Sequence, residues 1–140
     1  MLIDQIKQAN IQAMKDKDSV KRGILSIIIT KYKNLEVELK ASNKEINDAD
    51  LLNIIQKSLK ELSDEKEGYI KVNNFEKAND ISKQEEVISI YLPKQLSEEE
   101  IKIKISKLED KSIPAIMKHF KTNFAGKVDM SLVNRIARGV

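Results

Sequence analysis

Apolar residues recur every three to four positions along almost the whole chain, the spacing that turns one face of a helix toward a core. Leu2, Ile6, Ala9 and Ala13 keep it up to the charged break Lys15-Asp16-Lys17-Asp18, which predicts a first helix and its turn. Asp18 or Ser19 then caps a second helix, with Val20, Ile24, Ile27, Ile28, Lys31, Leu35 and Leu39 on one face. Lys31 is the only polar intruder there. Ile27-Ile28-Ile29 alone has the β-branched character of a strand, but the flanking segment holds a helical period for about six turns, and the period decides. After the polar stretch 41–45, Asn47 or Asp48 opens a third helix with Leu51, Leu52, Ile55, Leu59 and Leu62 inward. Tyr69 and Ile70 extend it, and Asn73-Asn74 interrupts it. A fourth helix carries Phe75, Ala78, Ile81, Ile88, Tyr91 and Leu92 on its face. It is expected to stop at Leu92, because Pro93 lacks an N–H and disfavours helical geometry in the residue before it.

Beyond Pro93 the caps are easier to read. Ser97-Glu98-Glu99-Glu100 is a capping box, in which the serine hydroxyl and the Glu100 carboxylate each satisfy one free N–H of a new helix. Ile101, Ile105 and Leu108 line that fifth helix, and Asp110-Lys111-Ser112 ends it. Pro114 suits the first turn of a sixth, with Ile116, Met117 and Phe120 inward. Residues 123–128 form a loop in which Gly126 is free to take positive φ, and Asp129 caps a last helix bearing Leu132, Val133 and Ile136. The expectation is an all-α, multihelical chain: a four-helix N-terminal subdomain over 1–92 and a small three-helix C-terminal subdomain over 93–140.

Composition agrees with this and narrows the chemistry. Four glycines, two prolines and no tryptophan in 140 residues leave too few turn residues for a many-stranded sandwich or barrel. The absence of cysteine excludes disulfides, thiol nucleophiles and thiolate metal sites, and a single histidine excludes multi-histidine metal clusters. Neither metal nor cofactor is expected. Charges appear within the first four residues, and no apolar run approaches the roughly 20 residues that span a bilayer, so a cytoplasmic protein without membrane contact is expected.

Charge separates the two halves. Residues 1–92 hold 15 basic and 16 acidic side chains, whereas residues 93–140 hold 10 and 6. From Lys111 onward six cations face Asp129 alone. Such asymmetry suits an anionic partner, and the candidate contacts are Lys118, Lys121, Lys127, Arg135 and Arg138. Lys118 and Lys121 lie three apart on one predicted helix, Arg135 and Arg138 three apart on another, so each pair shares a face, with Lys127 in the loop between. No catalytic constellation accompanies them. His119 is the only imidazole and adjoins Phe120 on a helix, where a partly packed ring is the simpler reading than a general base. The four glycines are too scattered to cradle phosphate, and the carboxylate runs 85–86 and 98–100 serve capping and solvation. No enzyme activity is expected.

The segment Tyr91-Leu92-Pro93-Lys94-Gln95-Leu96-Ser97-Glu98-Glu99-Glu100 resembles the junction motif of the free-standing YqeY family, whose fold is shared with the tail of the B subunit of tRNA-dependent amidotransferases. Ala13-Met14-Lys15-Asp16-Lys17-Asp18 is similar to that family's opening motif, and Gly126-Lys127-Val128-Asp129-Met130 to the one before its last helix. The resemblance spans essentially the full chain. It implies four helices followed by three, and a tRNA-binding accessory module working alongside an amidotransferase or an aminoacyl-tRNA synthetase whose catalytic centres lie elsewhere. The family pattern places an arginine in the turn before the fourth helix, where this chain carries Phe75. Two functions are therefore expected to compete: an appendage that meets tRNA phosphates, and a helical protein–protein interaction module without RNA binding. With 22 lysines against 3 arginines, bidentate phosphate forks are limited to Arg22, Arg135 and Arg138.

Overall fold

Short polar side chains cap five of the helices at their starts. Asp18 accepts from the Lys21 N–H at 3.1 Å, and Asn47 and Asp50 exchange bonds of 3.0 Å in a capping box. Asn74 accepts from Lys77, and Ser97 and Glu100 form the second capping box. The structure is a computed structural model describing residues 1–139. It contains α1 (Leu2–Lys15), α2 (Ser19–Ala41), α3 (Asp48–Lys71), α4 (Phe75–Ser89), α5 (Glu98–Ser106), α6 (Ile113–Asn123) and α7 (Met130–Arg138), with no strand among the described residues. The protein is all-α.

The first three helices end alike, without glycine. Lys17, Asn43 and Asn73 adopt φ of 57°, 57° and 58°. In each case the next residue's N–H reaches back five residues: Asp18 to Ala13, Lys44 to Leu39, and Asn74 to Tyr69, at 2.9, 2.7 and 2.9 Å. These are Schellman closures, which satisfy carbonyls that the helix leaves free. Asparagine tolerates the left-handed conformation, whereas a lysine there costs about 1 kcal/mol or more.

The chain divides into two compact units, Met1–Tyr91 and the remainder from Leu92. In the first, α2 packs against α1, α3 and α4, and α3 also packs against α1 and α4. Ile6, Ile24, Leu25, Ile28, Leu51 and Ile55 form the deepest part of its core. Lys31, the polar intruder of the α2 face, is satisfied there: its ammonium donates to Ser58 Oγ at 3.1 Å and to Glu61 Oε2 at 3.0 Å. In the second unit α7 packs against both α5 and α6 around the fully buried Phe120, with Ile101, Ile105, Ile116, Val128 and Val133 about it.

Several expectations are corrected; α5 ends at Ser106, before Leu108, and Ile70 is exposed. Ile27 is exposed, and Leu25 and Tyr32 are buried instead. Both flanks of α2 are apolar, and the neighbouring helices cover the one carrying Leu25 and Tyr32. Phe75 is 61% exposed, because as the first residue of α4 it stands beyond the part of that helix that reaches the core. The fourth helix stops at Ser89 rather than Leu92, with Ile90 as its C-cap. Pro93 disfavours helical geometry at Leu92, and the helix ends three residues before Leu92, in a turn where Tyr91 N–H bonds the Ile88 carbonyl at 3.2 Å.

Candidate nucleic-acid interface

The amphipathic pattern of α6 buries Ile116 and Phe120 and leaves Lys118 and Lys121 exposed on its outer side. On α7, Val133, Ile136 and Ala137 are buried, and Arg135 and Arg138 are exposed. Arg138 Nε donates to Asn134 Oδ1 one turn earlier, at 2.9 Å, which orders its guanidinium. Lys127 is exposed in the α6–α7 loop. Each helical pair thus shares the outer side of its own helix, and no direct bond links one pair to the other.

That loop is held from a distance in sequence. Leu96 N–H donates to the Lys127 carbonyl at 2.7 Å, and the Gln95 side-chain amide donates to the carbonyls of Gly126, at 2.6 Å, and Pro93, at 2.9 Å. Gly126 takes φ 76°, as the loop requires, and Val128 is buried beside it. The segment after Pro93 and the segment before the last helix, read separately in the sequence, therefore bond to each other. They fix the backbone from which Lys127 projects.

Four of the six acidic side chains of this unit are occupied near helix starts. Glu100 accepts from Ser97 N–H, and that bond, with a second from the Ser97 hydroxyl, holds its carboxyl below the usual carboxylate range. Asp110 accepts from Ser112 N–H at 2.9 Å and is lowered in the same way, by the Ser112 N–H first and its hydroxyl second. Asp129 accepts from Ser131 N–H at 2.9 Å, and Glu98 lies 3.5 Å from the Lys102 ammonium. Among the described residues no carboxylate forms an ion pair with Lys118, Lys121, Lys127, Arg135 or Arg138.

Sequence reasoning missed one cation beside them. Lys104, on α5, places its ammonium 4.7 Å from the centroid of the Phe124 ring, a cation–π contact worth about 0.5–1 kcal/mol near a surface. Phe124 leans on Phe120 at 5.5 Å and on His119 at 5.8 Å. The available signal was Lys104's place between Ile101 and Leu108 on the edge of an apolar face, but nothing in the spacing named its aromatic partner. His119 packs edge-on to Phe120, and its Nδ1 lies 3.2 Å from the Asn123 amide nitrogen. The imidazole thus sits in a local packing and hydrogen-bonding role. Among the described residues no three of His, Cys, Asp and Glu are grouped to hold a metal ion, and no helix is long and apolar enough to cross a membrane.

No curated protein matches the chain. Residues 3–139, which reach from the second residue of α1 through α7 and so across both units, match the family described as Yqey-like protein, and the chain belongs to that family.

Proposed function

We propose that the C-terminal unit is an RNA-binding appendage that meets the phosphates of a folded tRNA through Lys118, Lys121, Lys127, Arg135 and Arg138. On this reading the chain is a non-catalytic cytoplasmic accessory to an amidotransferase or aminoacyl-tRNA synthetase. The observation that carries it is the placing of charge in this unit: Glu98, Glu100, Asp110 and Asp129 are engaged at helix starts or with Lys102, and none of these five cations forms an ion pair among the described residues. Phosphate contacts supply affinity and position without reading bases, and the buried Phe120 favours recognition of RNA shape over base stacking. The amidotransferase link rests on the family resemblance alone. The test is tRNA binding by the full chain across a salt series, with Lys121→Glu/Arg135→Glu alongside. Log affinity should fall linearly with log salt, and the double reversal should weaken binding to unrelated tRNAs by similar factors at unchanged helicity. Wild-type affinity in the double variant at low salt would refute the reading.

One feature of the first unit favours a protein-docking role instead. Ile70, Val72 and Phe75 all stand exposed around the α3–α4 turn, a cluster of large apolar side chains suited to a protein surface. Retention of tRNA binding by the double reversal, together with loss of a protein partner on Phe75→Ser, would favour this second role.

A further inference from the structure

We propose that Lys104 is a further phosphate-contacting residue of the same RNA surface, held in position by the Phe124 ring. This inference rests on the RNA reading above. Lys104 differs from the other lysines of the unit in how it is held. Its ammonium lies over an aromatic face at 4.7 Å, and it is half-buried where Lys118, Lys121 and Lys127 are exposed. The ring that holds it is braced by the fully buried Phe120 and by His119, so its position is set by the core.

An aromatic face orders a cation without neutralising it, which a carboxylate cannot do. Of the carboxylates nearest in sequence, Glu99 and Glu109 form no ion pair with Lys104, and Glu100 feels the Lys104 charge without pairing with it. Glu98 pairs with Lys102, and Glu100, one turn before Lys104, keeps its carboxylate on the Ser97 N–H. Lys104 forms no ion pair among the described residues, and much of its side-chain freedom is already lost to the ring contact, so binding a phosphate costs less ordering than at a free lysine.

Phe124 also connects this cation to the predicted surface. Lys127 N–H bonds the Phe124 carbonyl at 2.9 Å, and Lys121 lies one helical turn before Phe124. The backbone of Lys127 and the helical turn of Lys121 are thereby joined to the residue whose ring holds the Lys104 ammonium. The surface extends from α6 and α7 onto α5, which the sequence pattern assigned only a core face and a cap.

The experiment measures binding of the full chain to an in vitro transcribed tRNA over a salt series. Lys104→Gln should lower the slope of log affinity against log salt by about 0.9, one phosphate contact, and weaken binding about fivefold to eightfold near 0.1 M salt. Phe124→Leu keeps every charge, so it should lower affinity severalfold and leave the slope unchanged. Lys104→Arg, which keeps both charge and ring contact, should bind as wild type, and Lys102→Gln should change binding less than twofold. If Lys104→Gln behaves like Lys102→Gln, the inference is overturned. If Phe124→Leu binds as wild type, the ring has no positioning role and that part is overturned. Circular dichroism checks that Phe124→Leu folds, and if it does not, the Lys104→Gln slope decides. The Lys121→Glu/Arg135→Glu variant separates the two levels. Loss of binding there with none in Lys104→Gln defeats this inference alone, whereas wild-type binding in both defeats the RNA reading itself.

Discussion

Replacing Phe120 by alanine should unfold the C-terminal unit and leave the N-terminal one standing. The ring is fully buried at the centre of the second core, where α5, α6 and α7 meet. Removing a phenyl ring from such a site costs about 3–5 kcal/mol, the lost transfer energy plus the cavity left behind. A unit of this size, at about 0.05–0.15 kcal/mol per residue, holds only about 2–7 kcal/mol in total. The substitution therefore consumes most or all of it. The first unit has its own core around Leu25, Ile28 and Ile55, to which Phe120 does not belong. Because α5–α7 hold roughly a quarter of the helical residues, far-UV ellipticity at room temperature should fall by about that fraction, with a urea transition remaining for the rest. tRNA binding should be lost with the ellipticity. Full ellipticity and a wild-type urea midpoint in Phe120→Ala would show that the second unit does not depend on this core for its fold.

Two further outcomes are expected. Lys17→Gly should raise stability by about 1 kcal/mol in chemical denaturation, because φ 57° at the end of α1 strains a lysine and glycine adopts it freely; a loss of stability would refute the strain. Glu100 and Asp110 have folded-state pKa values below their unfolded ones, so their capping bonds add stability above the ordinary carboxylate range and lose it as pH falls through the lowered values. Carboxyl-carbon NMR titration of the native chain should place both groups below their values in urea-unfolded chain, and the ends of α5 and α6 should begin to fray below about pH 4.

Helix starts were the most legible part of the fold, because a cap is local chemistry. Asp18, Ser97 and Asp129 needed only their own neighbours for the reading, and each side chain accepts the bond its position predicts. Burial is not local. Ile27 and Leu25 are equally apolar, and only the packing of α1, α3 and α4 about α2 decides which is covered. Val128 falls in a segment that reads as a loop and is nonetheless 1% exposed, because the loop is held by Gln95 and Leu96, about thirty residues earlier. The candidate cations were legible from charge and helical spacing. Lys104 was not, since its defining neighbour is a ring twenty residues away whose approach depends on how α5 and α6 join the same core.

The bonds from Gln95 and Leu96 to the α6–α7 loop set where the C-terminal unit can be cut out and transplanted. They close a span of about thirty residues, enclosing two helices, on itself. A graft beginning at the serine cap Ser97 would include every helix of the unit and still leave the carbonyls of Gly126 and Lys127 without their donors, one of them on a buried residue. An unsatisfied buried carbonyl such as that of Gly126 costs about 1–3 kcal/mol, a large share of what so small a unit possesses. The portable module therefore starts at or before Pro93, and the short irregular lead-in belongs to its architecture as much as the helices do.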